Sequence, residues 1–273
     1  MRKIFSQLAL SVISLHCFGQ IVHSPVRAHY VHATTYSKAF ADAFSFTDNQ
    51  AELSSYQSIN IAVYSEQRFL LKETSLYSLA VTFPFSSGGM GLQANYFGYS
   101  DYNESEIGIA YGKVLGKMVD IGVQFNYYHV LIANYGSMST VNFELASMFH
   151  VTERIHLGIH AYNPVGGKFG KATGEKLASL YNIGLGYEAS KQVFVSAEIA
   201  KEENKTVNVN AVLQYIFAKQ FFARAGVETQ TASPYAGIGL LWNNFRIDIA
   251  VSYHPQLGFT PGFLMMYQFG KKG

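Results

Sequence analysis

Phe245-Arg246-Ile247-Asp248-Ile249-Ala250-Val251-Ser252-Tyr253 decides how this chain folds. Odd positions are large and apolar; even positions are charged, polar or small. A period of two is the signature of a β-strand, whose side chains point to opposite faces in turn. One face of this strand carries Arg246 and Asp248. The other carries no charge over nine residues, so it suits an apolar medium.

The same beat recurs along the chain. Upstream, Ala236, Ile238, Leu240 and Trp242 oppose Gly237 and Gly239, and Phe221, Ala223 and Ala225 oppose Phe222, Arg224 and Gly226. Earlier strands follow at Ile59–Val63, Tyr77–Phe83, Met90–Tyr96, Ile107–Tyr111, Ile121–Tyr127, Val141–Leu145, Ile155–Ile159, Tyr181–Tyr187, Val193–Ile199 and Val207–Leu213; Phe263, Met265, Tyr267 and Phe269 close the chain. That predicts about fourteen strands of roughly ten residues, the length a tilted strand needs to cross a bilayer. None of the fourteen apolar sets contains a charge. Tyr96, Tyr127, Tyr187, Trp242 and Tyr253 fall near strand ends, where interfacial aromatics belong.

Composition agrees. Charged residues make up 14%, against roughly 25% in soluble domains. No run of eighteen apolar residues follows the N-terminal twenty, so spanning helices are not expected. Only a closed sheet satisfies every backbone group in lipid. The expected fold is therefore all-β: a transmembrane antiparallel β-barrel over residues 58–273. Tight turns at Ser86-Ser87-Gly88, Leu115-Gly116-Lys117, Ser190-Lys191, Lys219-Gln220 and Asn243-Asn244 alternate with longer stretches. These run from Gln67 to Thr74, Ser100 to Ser105, Val130 to Met138, Asn163 to Lys176 and His254 to Pro261. Short turns face the periplasm in outer-membrane barrels, which places both mature termini there. A strand kink at Gly98 or Pro234 would offer a lateral exit.

Residues 1–19 read as a signal peptide: Arg2 and Lys3, then a short apolar run from Ile4 to Phe18. Its removal takes the lone cysteine, Cys17, and leaves eighteen basic against eighteen acidic residues. Neither disulfide chemistry nor a nucleic-acid-binding basic stripe remains. Residues 20–57 do not alternate. Phe40, Phe44 and Phe46 among small residues suggest a short helix or compact coil forming a plug in the barrel mouth; a disordered leader is the alternative.

The polar face supplies the candidate site: Glu144, His156, His160, Glu188, Glu198, Arg224, Arg246 and Asp248 point to the lumen. They fit either a polar conduit with a proton-sensitive gate or a core of ion pairs that fills the barrel. His156 and His160 share a strand face about 13 Å apart, at about 3.3 Å per residue, too far for one metal ion. Gly166-Gly167-Lys168-Phe169-Gly170-Lys171 lacks the ending of a phosphate loop. Serines and histidines form no nucleophile signature. No catalytic residue, metal or cofactor is expected.

Several short motifs resemble a known family. They are Tyr36-Ser37-Lys38-Ala39-Phe40-Ala41-Asp42-Ala43, Asn49-Gln50-Ala51-Glu52-Leu53, Glu66-Gln67-Arg68-Phe69 with Tyr77-Ser78-Leu79-Ala80, Tyr162-Asn163-Pro164-Val165-Gly166, and Tyr253-His254-Pro255-Gln256-Leu257-Gly258. In these the chain is similar to the PorV/PorQ-type barrels of Bacteroidota outer membranes, relatives of the FadL hydrophobic-compound transporters. The resemblance implies an accessory, partner-binding component of type IX protein secretion. The alternatives it leaves are a FadL-like transporter of hydrophobic small molecules and a structural or assembly barrel with no passage. The implied partners are outer-membrane lipid and either secretion proteins or a hydrophobic ligand.

Overall fold

The computed structural model describes residues 21–28, 30–169 and 175–270. The signal-peptide reading of residues 1–19, with Cys17, falls outside these, as do Gly170 and Lys171.

Fourteen strands close into one antiparallel barrel. In chain order the first seven are β2 (Asn60–Gln67), β3 (Ser75–Phe85), β4 (Gly88–Gly98), β5 (Tyr102–Val114), β6 (Val119–Ile132), β7 (Gly136–His150) and β8 (Ile155–Tyr162). The second seven are β10 (Leu180–Glu188), β11 (Val193–Glu202), β12 (Asn208–Ala218), β13 (Phe221–Glu228), β14 (Ser233–Trp242), β15 (Phe245–His254) and β16 (Gly258–Gln268). Neighbours in sequence pair throughout, and β16 pairs with β2 to shut the wall, from Gly262 opposite Glu66 to Gln268 opposite Asn60. Closure leaves no backbone edge for lipid to meet. Two short strands lie off the barrel: β1 (Ile21–Val22) runs parallel to β9 (Lys176–Leu177), inside the connection between β8 and β10.

Alternation sorts the side chains as expected. On β15, Arg246, Asp248 and Ala250 are buried inside while Ile247, Ile249 and Val251 face out. Aromatics pair across strands at both ends of the outer wall. At one end Phe245 meets Tyr267 (4.7 Å between ring centroids); at the other, Tyr253 meets Phe259 (5.0 Å) and Tyr77 meets Tyr96 (6.5 Å). The strands run further than their apolar cores, and two charges lie on the outer face after all. Lys113 and Lys201 sit at strand ends, where a long side chain reaches water.

Connections differ from expectation at three places. The stretches around residues 100–105, 130–138 and 254–261 are tight turns of 99–101, 133–135 and 255–257, because β5, β6 and β7 extend to thirteen, fourteen and fifteen residues and β16 begins already at Gly258. Only 68–74 and 163–179 are long at that end of the barrel. Gly98 (φ +106°) ends β4 and Pro234 is second in β14, both at the long-connection rim with their partners in register. The one shift in register lies between Ile216 and Ala218, beside a short turn. No lateral gap opens at Gly98 or Pro234.

Asn60 and Gln268 mark the short-turn end. The described chain begins at the opposite end, where Ile21–Val22 pairs with Lys176–Leu177. Residues 23–28 and 30–57 then descend through the lumen to reach β2. A strand-only reading cannot see this traverse, since nothing in the segment alternates.

Candidate functional site

The lumen and the segment inside it form the candidate site. Residues 23–57, here the hatch, contain 3-10 turns at Ser45–Thr47 and Gln50–Ser55 rather than an α-helix. Asn49 caps the second turn, its side chain accepting from the Ala51 N–H at 3.1 Å. Tyr36 adopts φ +72°, a costly conformation for a non-glycine residue. It is held there by Glu52, which accepts the Tyr36 and Ser37 N–H groups at 3.0 and 3.3 Å.

The barrel makes room for this coil with inward glycines. A Cβ at Gly184 or Gly158 would overlap the Tyr36 ring, and one at Gly186 its carbonyl. Gly112 and Gly122 do the same for Gln50, and Gly91 for Phe46. Phe44 and Phe46 are buried in the main apolar cluster with Leu53, Tyr64 and Leu76. Phe40 stacks on Phe194, ring centroids 5.4 Å apart.

Each lumen residue expected from sequence faces inward, and together they grip the hatch at four places. At the first, Asp42 of the hatch accepts from Arg246 Nη1 (2.8 Å) and lies 3.5 Å from Arg224 Nη2. Arg246 also donates to Asp248 (2.5 Å), which accepts from Tyr30 OH (3.1 Å). Arg224 donates to the Tyr30 carbonyl (2.7 Å) and lies over the Tyr30 ring. Burial would push the Asp42 carboxyl up, but Arg246 and Arg224 outweigh it and hold it below its ordinary value.

At the second, Glu144 gathers Gln50 (2.8 Å), His160 (2.6 Å), Asn126 (2.6 Å) and Gln124 (3.0 Å), with Arg27 at 3.6 Å. At the third, Glu188 accepts from Ser37 Oγ (2.7 Å) and the N–H groups of Lys38 (2.8 Å) and Ala39 (3.0 Å), with His156 at 3.4 Å. At the fourth, Glu198 accepts from Tyr36 OH and stands beside Asp48. His156 and His160 thus serve different clusters.

Sequence reading missed the hatch half of every one of these: Arg27, Tyr30, Asp42, Asp48 and Glu52 carry no periodic signal. It also passed over Glu104 and Glu106, two residues apart on the polar face of β5, which strand parity alone would have flagged. Glu104 accepts from Tyr102 (2.6 Å) and Tyr128 (2.7 Å) and meets His23 at 3.2 Å. The hydrogen bond to Glu104 raises His23 above its ordinary range against the opposing effect of burial.

The long-connection end is half covered. Asn163 (φ +50°) donates to the Leu177 carbonyl (2.7 Å) and accepts from Gly167 N–H (2.7 Å), drawing the described parts of this connection, 163–169 and 175–179, together. Phe169 and Leu177 bury against Tyr128 and Tyr162 on that side. The other side, under β10 to β16 and β2, keeps a cavity of about 450 Å3. Its wall is mixed: Val26, Tyr30, Tyr64, Tyr235 and Ala250 beside Asp48, Glu198 and Asn182. The volume lies within the range of small-molecule sites, about 300–1,000 Å3.

No family model matches the chain, and no curated protein matches it. Solved structures do. A toluene transporter of Ralstonia pickettii, TbuX, superposes with a TM-score of 0.61 at 10% identity, over 84% of this chain and 94% of that one. The Pseudomonas putida toluene transporter TodX gives 0.59 at 9% identity, over 92% and 99%. A Pseudomonas aeruginosa FadL homologue gives 0.57 at 11% identity, over 92% and 100%. At such identities the likeness is one of fold: this chain has the closed fourteen-strand architecture of FadL-type outer-membrane barrels.

Proposed function

We propose that the chain is a FadL-like transporter of the outer membrane, taking a hydrophobic or amphipathic small molecule into the cavity beneath the long-connection rim. The observation that carries this is the pairing of a lumen filled by a tethered hatch with a ligand-sized, partly apolar cavity at the opposite end. A hatch held by ion pairs and hydrogen bonds can shift when a ligand competes for its partners. An apolar core has no such exchangeable contacts. The solved barrels of the same fold are transport channels by name, which favours transport over an enzyme. The long-connection end is taken as the cell exterior.

The test is twofold. Barrel extracted without detergent should carry a small lipophilic molecule detectable by mass spectrometry. Ala250→Trp, which fills the cavity from the wall, should slow uptake into reconstituted vesicles while the barrel still folds. An empty barrel together with unchanged uptake would overturn the proposal.

The secretion-accessory role implied by the PorV/PorQ motifs has those motifs alone behind it. Their residues here have structural duties that any hatched barrel needs: Tyr36 and Ser37 anchor the hatch, and Asn163 folds the long connection. Recovery of secretion proteins in a pull-down from mildly solubilised membranes, with uptake unaltered, would favour that role.

A further inference from the structure

We infer that His150 and His156 form a proton-operated latch on the hatch: acid adds a proton at His156 Nε2, and His156 then grips Glu188. The latch lies away from the cavity and does not depend on what the cavity takes. Four side chains from neighbouring strands form a chain along the lumen wall at its short-turn end: Asp120 on β6, His150 on β7, His156 on β8 and Glu188 on β10. The hatch is tied to both ends of it. Asp120 Oδ2 accepts from Ser54 Oγ at 2.6 Å, and Glu188 Oε1 accepts from Ser37 Oγ and from the N–H groups of Lys38 and Ala39.

The distances count the protons. His150 Nε2 lies 2.9 Å from Asp120 Oδ2. A carboxylate only accepts, so that nitrogen carries a proton. A neutral imidazole holds one N–H, which leaves His150 Nδ1 bare. The two Nδ1 atoms are 2.9 Å apart, so the proton between them belongs to His156. His156 Nε2 is then bare as well. It lies 3.4 Å from Glu188 Oε1 and has no hydrogen-bond partner, the spacing of two acceptors face to face. Turning either ring over would set carbon where a bonded nitrogen stands, so both orientations are fixed by their partners.

His156 is 1% exposed, and a buried nitrogen without a partner is costly. One proton there turns a contact between two acceptors into a charge-assisted hydrogen bond. Glu188 keeps its hatch donors, since a carboxylate offers about four acceptor sites. The charged groups around the pair set the balance. Asp120 and Glu188 favour the added charge, and Lys38 of the hatch opposes it at His150. Glu52 of the hatch is close enough to feel Asp120 and Glu188. Glu153 and Arg154, in the turn between the two histidines, are exposed.

The test reads imidazole 15N shifts of the full chain in nanodiscs from pH 8 to pH 5, the range in which histidine ordinarily changes charge. Through-bond correlation from the backbone assigns them, so the tautomers are read on the wild-type chain even if a variant fails to fold. At pH 8 His150 should carry its proton on Nε2 and His156 on Nδ1; by pH 5 His156 should carry both. Hydrogen-exchange protection of the Lys38 and Ala39 amides should rise about tenfold over the same range, the scale of a hydrogen bond to a charged group. Glu52→Gln, which removes the other pH-dependent tie of this segment, should keep that rise, and His156→Gln should lose it. A His156 with its pH 8 proton on Nε2, or one that gains none by pH 5, would overturn the latch. So would protection that stays flat, or that still rises in His156→Gln.

Discussion

At the scale of single residues, two features of the hatch make predictions. Gly184 and Gly186 are sockets for Tyr36, and no movement of a flexible side chain relieves a Cβ set against the Tyr36 backbone. Gly186→Val should therefore push the hatch off its seat, at a cost of about 1–3 kcal/mol, the scale of overpacking. Thermal unfolding of the barrel should shift downward, and Tyr36–Phe40 should become open to protease. A variant cut no faster than wild type would show that the hatch does not depend on this contact. Glu52 predicts a pH dependence. Burial pushes its carboxyl up to about 8, against the pull of the Tyr36 and Ser37 N–H groups, from an ordinary 4.5. Between those values the folded chain keeps a proton that the unfolded chain has released. Stability should therefore fall as pH rises from about 4.5 to about 8 and level off above. Denaturant titrations across that range should show the decline, and Glu52→Gln should remove that part of it.

At the scale of elements, the hatch and the wall are separable in logic but not in energy. Asp42 is the hatch's tie to Arg246 and Arg224, all three buried. Breaking a buried ion pair by removing one partner costs about 3–5 kcal/mol, because the other charge is left behind. Asp42→Ala should leave the strands paired, since no strand residue changes, yet free the hatch. Planar-bilayer recordings should then show steady conductance above that of the wild type. A variant as tight as wild type would place the seal elsewhere, at Glu144 or Glu188. The long strands β5, β6 and β7 are the counterpart at the long-connection end. They form the wall against which Phe169 and Leu177 pack, and the cavity opens on the opposite side, over β10 to β16.

At the scale of the whole molecule, the outer wall carries charge only at strand ends, the pattern expected of a wall that faces lipid. Ile249 is central in β15 and 63% exposed. Ile249→Arg should cost about 2–4 kcal/mol of folding stability in a bilayer. Lys113 shows that a cation is accepted at a strand end. Urea titrations in liposomes should separate Ile249→Arg from a substitution such as Ile121→Arg, on the outer face directly across from Lys113 near the strand end, which should cost far less. Equal costs would mean that the apolar belt is not where the alternation places it.

Strand number, order and facing were legible in the amino-acid sequence, because a period of two is local and lipid keeps charge off the middle of one of its phases. The lumen positions Glu144, His160, Glu188, Arg224, Arg246 and Asp248 followed from the same parity. What each of them holds did not. Their partners Arg27, Gln50, Ser37, Tyr30 and Asp42 lie up to some two hundred residues away in a segment without period. The purpose of the inward glycines was equally hidden, since a missing side chain has meaning only once Tyr36 or Gln50 is in place. The cavity too belongs to tertiary structure alone. It is the space left when a coil of fixed volume settles in a closed wall, and neither partner encodes that difference by itself.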